Sequence, residues 1–280
     1  MLSSLAPRGR VVLALPIMDD CRTVVSIGFY SISDRPTLSQ HTHGRLRTYC
    51  DTHGYALTIM NSTLDPSRHQ AWSKLLLLRS ALRRDEHDLY VWIDDDIYLT
   101  KPELRFEDLI AQHPFEHILV SEDVDAAHPM NTGMLVLKAT AEVDAVLRNA
   151  YLLGVPLNLR WQSPWEQGAL THLFSVSHDA ERPDPIFTLV PHTVLQSFHR
   201  DHDVPDEFRW RPGHFAAHMT GMPLERRLLC LQLLREVLGD TDPGDLDREL
   251  GDRPWPHAEG DANAFDPRCS LGCGEQMEWR

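Results

Sequence analysis

Tyr90-Val91-Trp92-Ile93 is an apolar run that stops abruptly at Asp94-Asp95-Asp96. Aromatic and β-branched residues in a short block read as a buried strand. Three adjacent carboxylates repel one another, so that strand has to end at a cleft or surface where their charge can be met. The neighbouring segments say what kind of sheet carries it. Val24 to Ile32 reads as another buried strand, with Val11 to Leu15 as its partner or as an alternative first strand; the sequence does not order the two. Thr37 to Thr52 is helical and closes at His53-Gly54, Tyr55 to Met60 is a strand, and Trp72 to Leu82 has helical spacing. Beyond Leu89 to Ile93 come a helix over Phe106 to Gln112, strands over Ile118 to Ser121 and Gly133 to Lys138, and a helix over Ala141 to Leu153. A helix capped by Ser163 with Pro164 at its first position runs to Phe174, Ile186 to Val190 is a late strand, and Leu224 to Leu238 is a leucine-rich helix ending at Gly239. Strands alternating with helices predict an α/β fold: a single Rossmann-like domain, residues 1–239, with a mostly parallel central sheet flanked by helices.

Charge narrows the partners. The 280 residues carry 27 Lys and Arg against 41 Asp and Glu, a net of −14. That balance disfavours nucleic acid and anionic membrane surfaces, both of which need a basic face. It also means that a phosphate-bearing ligand must be met by local bases, a helix N-terminus or a metal ion. Residues 240–280 hold eleven Asp or Glu and four Arg, net −7, among Gly and Pro without apolar periodicity, and read as an irregular acidic tail. Cys269 and Cys273 in that tail have only His257 nearby, too few soft ligands for zinc. Five scattered cysteines and no apolar stretch of ~20 residues lead to the expectation of a cytoplasmic protein without a membrane span.

Asp94 and Asp96 lie two apart, hence on one side of an extended segment, where both can reach one hard cation such as Mn²⁺ or Mg²⁺. The alternative is a solvated acidic turn. Asn131 and Gly133 open a strand, where an amide and a residue without Cβ suit a sugar and pyrophosphate, or simply form a turn. Glu166 and Gln167 sit at a helix start, where a carboxylate is favourable whatever the function.

The strand ending in Asp-x-Asp resembles the nucleotide-sugar motif of GT-A glycosyltransferases, and the wider pattern resembles glycosyltransferase family 34, which includes galactosyl-, mannosyl- and xylosyltransferases. Trp72-Ser73-Lys74, Tyr49-Cys50 with His53-Gly54, Asn131-Thr132-Gly133, Glu166-Gln167 with Ala169-Leu170, and His218 with Gly221 occur in the family's order over residues 45 to 222. Met222 and Lys138 depart from it, standing where Cys and Arg are frequent.

The resemblance implies a retaining, metal-dependent transfer of a hexose or pentose from a nucleotide-diphosphate sugar, UDP- or GDP-linked, to the hydroxyl of an acceptor glycan or small molecule. It implies Mn²⁺ (or Mg²⁺) on Asp94, Asp96 and His218, with His214 the nearest rival to His218. Asp94, Asp95, Asn131, Gly133, Lys74 and Gly221 are expected along the donor; Lys74 is either near the phosphates or a solvated helix residue. Gln167 and Glu166 are expected beside the sugar. An uncharged Gln167 is a poor nucleophile, so retention by front-face attack follows, with Gln167 stabilising positive charge on the ring. Phe208, Trp210 and Phe215 are candidate stacking surfaces for the acceptor. Two other readings remain open: a haloacid-dehalogenase-like phosphatase, whose motif Tyr98 breaks, and a non-catalytic nucleotide-sugar-binding protein.

Overall fold

The computed structural model describes residues 25–160, 162–179 and 185–239. Val11 to Leu15 and the tail 240–280 lie outside the described residues. A six-stranded sheet forms the centre, ordered β2-β1-β3-β6-β5-β7, from β1 (Ile27–Ile32), β2 (Ala56–Met60), β3 (Leu89–Ile93), β5 (Ile118–Glu122), β6 (Met130–Lys138) and β7 (Phe187–Val190). β1 runs parallel to β2 and β3, and β5 parallel to β7, while β6 runs antiparallel to both β3 and β5. The reversed strand follows from its connection: β5 and β6 are joined by a short loop with no crossover helix, which only an antiparallel pair permits.

Side chains alternate across this sheet. Tyr90 and Trp92 enter the core under α2 (Ser73–Leu82), α4 (Ala141–Leu153) and α5 (Trp165–Asp179). Leu89, Val91 and Ile93 point to the opposite core, with Phe29, Leu46 and Tyr49 of β1 and α1 (Pro36–His53) and Phe106 of α3 (Phe106–Ile110). A continuous apolar strand is what a sheet covered on both faces requires.

A second, three-stranded sheet, β4 (Ile97–Leu99), β9 (Ala216–His218) and β8 (Ser197–Phe198), was absent from the sequence expectations. β4 and β9 pair antiparallel with Ile97 opposite His218, which fixes His218 beside the aspartates. β8 follows the one-turn helix α6 (His192–Leu195), and α7 (Leu224–Leu238) closes this side. The start of α5 differs from expectation. Ser163 is not its cap: the helix begins at Trp165, and the Pro164 carbonyl accepts from the Gly168 N–H.

The reversal of β6 decides where the site falls. Its first residues lie at the same sheet edge as the carboxyl end of β3, with Ile93 opposite Met134 and Asp94 N–H donating to Gly133 O at 2.8 Å.

Candidate active site

The three aspartates after β3 diverge. Asp95 turns inward. Arg35 grips its carboxylate through Nη2 and, at 3.0 Å, through Nε; the Ser33 hydroxyl also donates to it. Burial pushes its pKa up to about 6, opposed by the Arg35 charge and reinforced by Asp96. The expectation that Asp95 touches the donor is not met by this placement, since its side chain is committed to Arg35 and Ser33. Asp94 and Asp96 instead gather with His218, their ligand atoms all within 4.8 Å of one another. His218 Nε2 lies 3.2 Å from Asp96 Oδ1, and Arg227 Nη2 lies 3.3 Å from Asp96 Oδ2. Burial raises the Asp96 carboxyl, but the His218 and Arg35 charges outweigh it and hold the group below the usual range. His214 is elsewhere, with its Nδ1 2.8 Å from Ser197 Oγ.

Asp94 is tied to the helical layer. Trp92 Nε1 donates to Asp94 Oδ1 at 2.5 Å, and Lys74 Nζ stands 3.2 Å from the same oxygen. Lys74 is only 2% exposed, so the solvated-helix reading is corrected. Its ammonium also donates to Glu166 Oε1 and to Thr132 O, each at 2.8 Å. Burial alone would lower the Lys74 pKa, yet Asp94 and Glu166 together raise it. For Glu166, burial raises the carboxyl, and Lys74 opposes that rise. Lys74 therefore joins β3 to the first turn of α5. Gln167 stands beside this link, its Oε1 accepting from the Thr132 N–H at 3.1 Å.

Trp165, immediately before these residues, has φ +49°, a left-handed backbone that is rare for a bulky residue and is found more often at functional sites. Its ring stacks on His69 with centroids 3.9 Å apart.

His218 depends on a missing side chain. A Cβ at Gly133 would lie 2.3 Å from His218 Cε1 and 2.8 Å from both His218 Nδ1 and Gln196 Oε1. The imidazole thus occupies the space a side chain at 133 would need. Gly133→Ala is expected to displace the ring, costing about 1–3 kcal/mol of stability as overpacking and weakening divalent-ion binding; denaturant unfolding and Mn²⁺ titration check the two effects, and an unchanged Mn²⁺ affinity would refute the link. Asn131, two residues before it, is held at both ends: Oδ1 accepts from Gly133 N–H and from Gln196 Nε2, and Nδ2 donates to Asp123. Gly221 follows in a left-handed turn at φ +68°, where a residue with Cβ would be strained.

Several buried polar atoms here have no partner. They include Glu166 Oε2, Gln196 Oε1, Arg227 Nε and both ring nitrogens of His218, whose 3.2 Å approach to Asp96 lacks hydrogen-bond alignment. Orphaned buried polar groups are costly, and a cluster of them is what a ligand site leaves open. A second group, His199, Asp201 and Cys230, has the same spacing, but the Cys230 thiol, pushed up to about 12 by burial, points to Met222 at 3.7 Å.

Sequence reasoning did not bring in Arg35, Gln196 or Arg227. Their contacts span long separations, and nothing local marks them. Two of the expected acceptor surfaces are also corrected. Phe215 is core, packed against Tyr49 and Phe106, and Trp210 is buried with its Nε1 donating to Thr100. Phe208 stands 6.0 Å from the His192 ring.

The parallel sheet with one reversed strand, and acidic residues at the end of its central strand, define a GT-A fold. Among known structures it is similar to a glycosyltransferase involved in the glycosylation of the major capsid of PBCV-1, at 16% identity and TM-score 0.57, over 75% of this chain and 99% of that one. It is also similar to the galactosyltransferase LgtC, determined in complex with donor and acceptor sugar analogs, at 10% identity and TM-score 0.50, over 81% and 100%. Residues 21–149 match the galactosyl transferase GMA12/MNN10 family, which bears out the resemblance read in the sequence. No curated protein sequence matches the chain. Family and fold together support glycosyl transfer. Among the described residues no helix is long and apolar enough to cross a membrane.

Proposed function

We propose that this chain is a divalent-metal-dependent, retaining glycosyltransferase whose donor is a nucleotide-diphosphate sugar and whose acceptor is a glycan or small-molecule hydroxyl. The observation that carries this reading is the convergence of Asp94, Asp96 and His218 within 4.8 Å. Two carboxylates and an imidazole suit Mn²⁺ or Mg²⁺, and the unpartnered nitrogens of His218 fit a ligand role. Such an ion stabilises, as a Lewis acid, the charge that develops on the departing diphosphate.

The remaining residues act around it. Lys74 holds Asp94 and Glu166 in place rather than meeting phosphate, because its donors are occupied. Glu166, bound to Lys74, is poorly placed to act as a free nucleophile, which favours front-face retention over a covalent intermediate. Gln167 is the residue beside the link that stabilises positive charge on the sugar ring, its carbonyl oriented by Thr132. Hexose or pentose, and UDP or GDP, are choices that the donor panel makes.

The test incubates the protein with Mn²⁺ and a panel of UDP- and GDP-sugars, reading nucleotide release and thermal stabilisation. At least one donor is expected to stabilise the protein only with the ion present. His218→Ala is expected to lower Mn²⁺ dependence at least tenfold more than His214→Ala, in line with the cost of disturbing a metal's surroundings. Equal effects, or no donor-dependent shift, would overturn the reading.

A further inference from the structure

An acidic chain that takes a diphosphate needs a base free to meet it. Among the described residues, the lysine and arginine side chains in contact with the aspartates are Lys74, Arg35 and Arg227. Lys74 is saturated by Asp94, Glu166 and Thr132. Arg35 uses its fork on Asp95, the aspartate that turns away from the cluster. Arg227, in the first turn of α7, makes one ion-pair contact with Asp96 at 3.3 Å, and its buried Nε has no partner. The side chain is 12% exposed, so it is held largely out of solvent beside Asp96.

The contact itself is informative. Arg227 and His218 take opposite oxygens of one carboxylate. A cation arriving on Asp94, Asp96 and His218 would compete with the Arg227 charge for Asp96, and repulsion between two cations would turn the guanidinium toward whatever anion accompanies the metal. A planar fork with an unused N–H matches a phosphate oxygen pair.

We infer that Arg227 is a diphosphate-binding residue, one that exchanges its Asp96 contact for the donor's phosphates when the metal-bound donor enters. This rests on the proposed function and names a residue for it.

The experiment uses calorimetry on the full chain with two probes, Mn²⁺ alone and inorganic pyrophosphate added to Mn²⁺-loaded protein. Arg227→Gln is expected to weaken pyrophosphate binding about 10- to 100-fold, the worth of a charged hydrogen bond, while leaving Mn²⁺ affinity unchanged or higher because a competing cation is gone. Arg227→Lys, which keeps the charge and packing but not the fork, is expected to lose part of that affinity and serves if the glutamine variant does not fold. Arg226→Gln, on the exposed neighbour that donates to Asp201 O, is expected to bind both probes as the unaltered protein does. Loss of pyrophosphate binding without loss of Mn²⁺ affinity separates a phosphate ligand from a strut. If Arg227→Gln binds pyrophosphate normally, or loses Mn²⁺ and pyrophosphate together, the inference is overturned while the proposed function stands. If the unaltered protein binds no pyrophosphate in Mn²⁺, both fall.

Discussion

Asp96→Ala is expected to reduce Mn²⁺ affinity by at least about a hundredfold, because loss of partners outside a metal's own ligands already costs 10- to 100-fold. Asp96 is also the carboxylate shared by His218 and Arg227, so its removal takes away the anion that lies between them. Thermal or chemical unfolding with added ion gives the measure. Ligand at a hundred times its dissociation constant stabilises a protein by about 2.7 kcal/mol, and after a hundredfold loss the same concentration gives about 0.4 kcal/mol. Asp96→Asn, which keeps the volume, separates the metal effect from the packing effect. If either variant is stabilised by Mn²⁺ as strongly as the unaltered chain, Asp96 is not a ligand.

The largest effect on the fold is expected from Lys74→Met. Removing one partner of a buried ion pair strands the other charge, at about 3–5 kcal/mol. Glu166 is 4% exposed and pairs through Oε1 with Lys74. In a domain of this size each kcal/mol is about 2–4 °C, so a fall of roughly 6–20 °C in Tm is expected. The double variant Lys74→Met with Glu166→Gln should recover much of that loss, since no uncompensated charge remains at 166 and Asp94, the other partner of Lys74, is 31% exposed.

The pH dependence has a definite sign. Without Lys74, the opposition to burial is gone and the Glu166 pKa rises further in the folded state. The native form then binds more protons than the unfolded form, and the deficit of Lys74→Met shrinks as pH falls through that raised value. A deficit below about 1 kcal/mol, or one that does not respond to acid, would mean that the pair does not bind α5 to the strand end.

The sequence carried some elements without loss. Leu89–Ile93 and Ala141–Leu153 appear with the bounds that apolar clustering and helical spacing imply, because each has its signal inside one short window. The three-residue strands β4 and β9 have no such window. Their existence depends on pairing Ile97 with His218 across more than a hundred residues. The reversed direction of β6 was hidden for a related reason: strand direction depends on how the connection runs, and the residues between β5 and β6 announce neither a helix nor a tight two-residue turn. The site divides the same way. Asp94, Asp96 and His218 were legible as residue types in order. The partners that separate the aspartates, Arg35 for Asp95 and Lys74 for Asp94, were not.

Gly133 and His218 fill one volume between them. Their identities are therefore not independent choices in the history of this fold. A lineage that places a side chain at 133 must first shrink or swing the residue at 218, and one that gives up the imidazole at 218 leaves a hollow that a larger residue at 133 can fill. Intermediates carrying only one of the two changes are either overpacked or hollow. The pair is thus expected to covary across relatives as a single character, glycine with histidine or neither, and its state in a given relative would report whether that protein still builds the aspartate–histidine cluster.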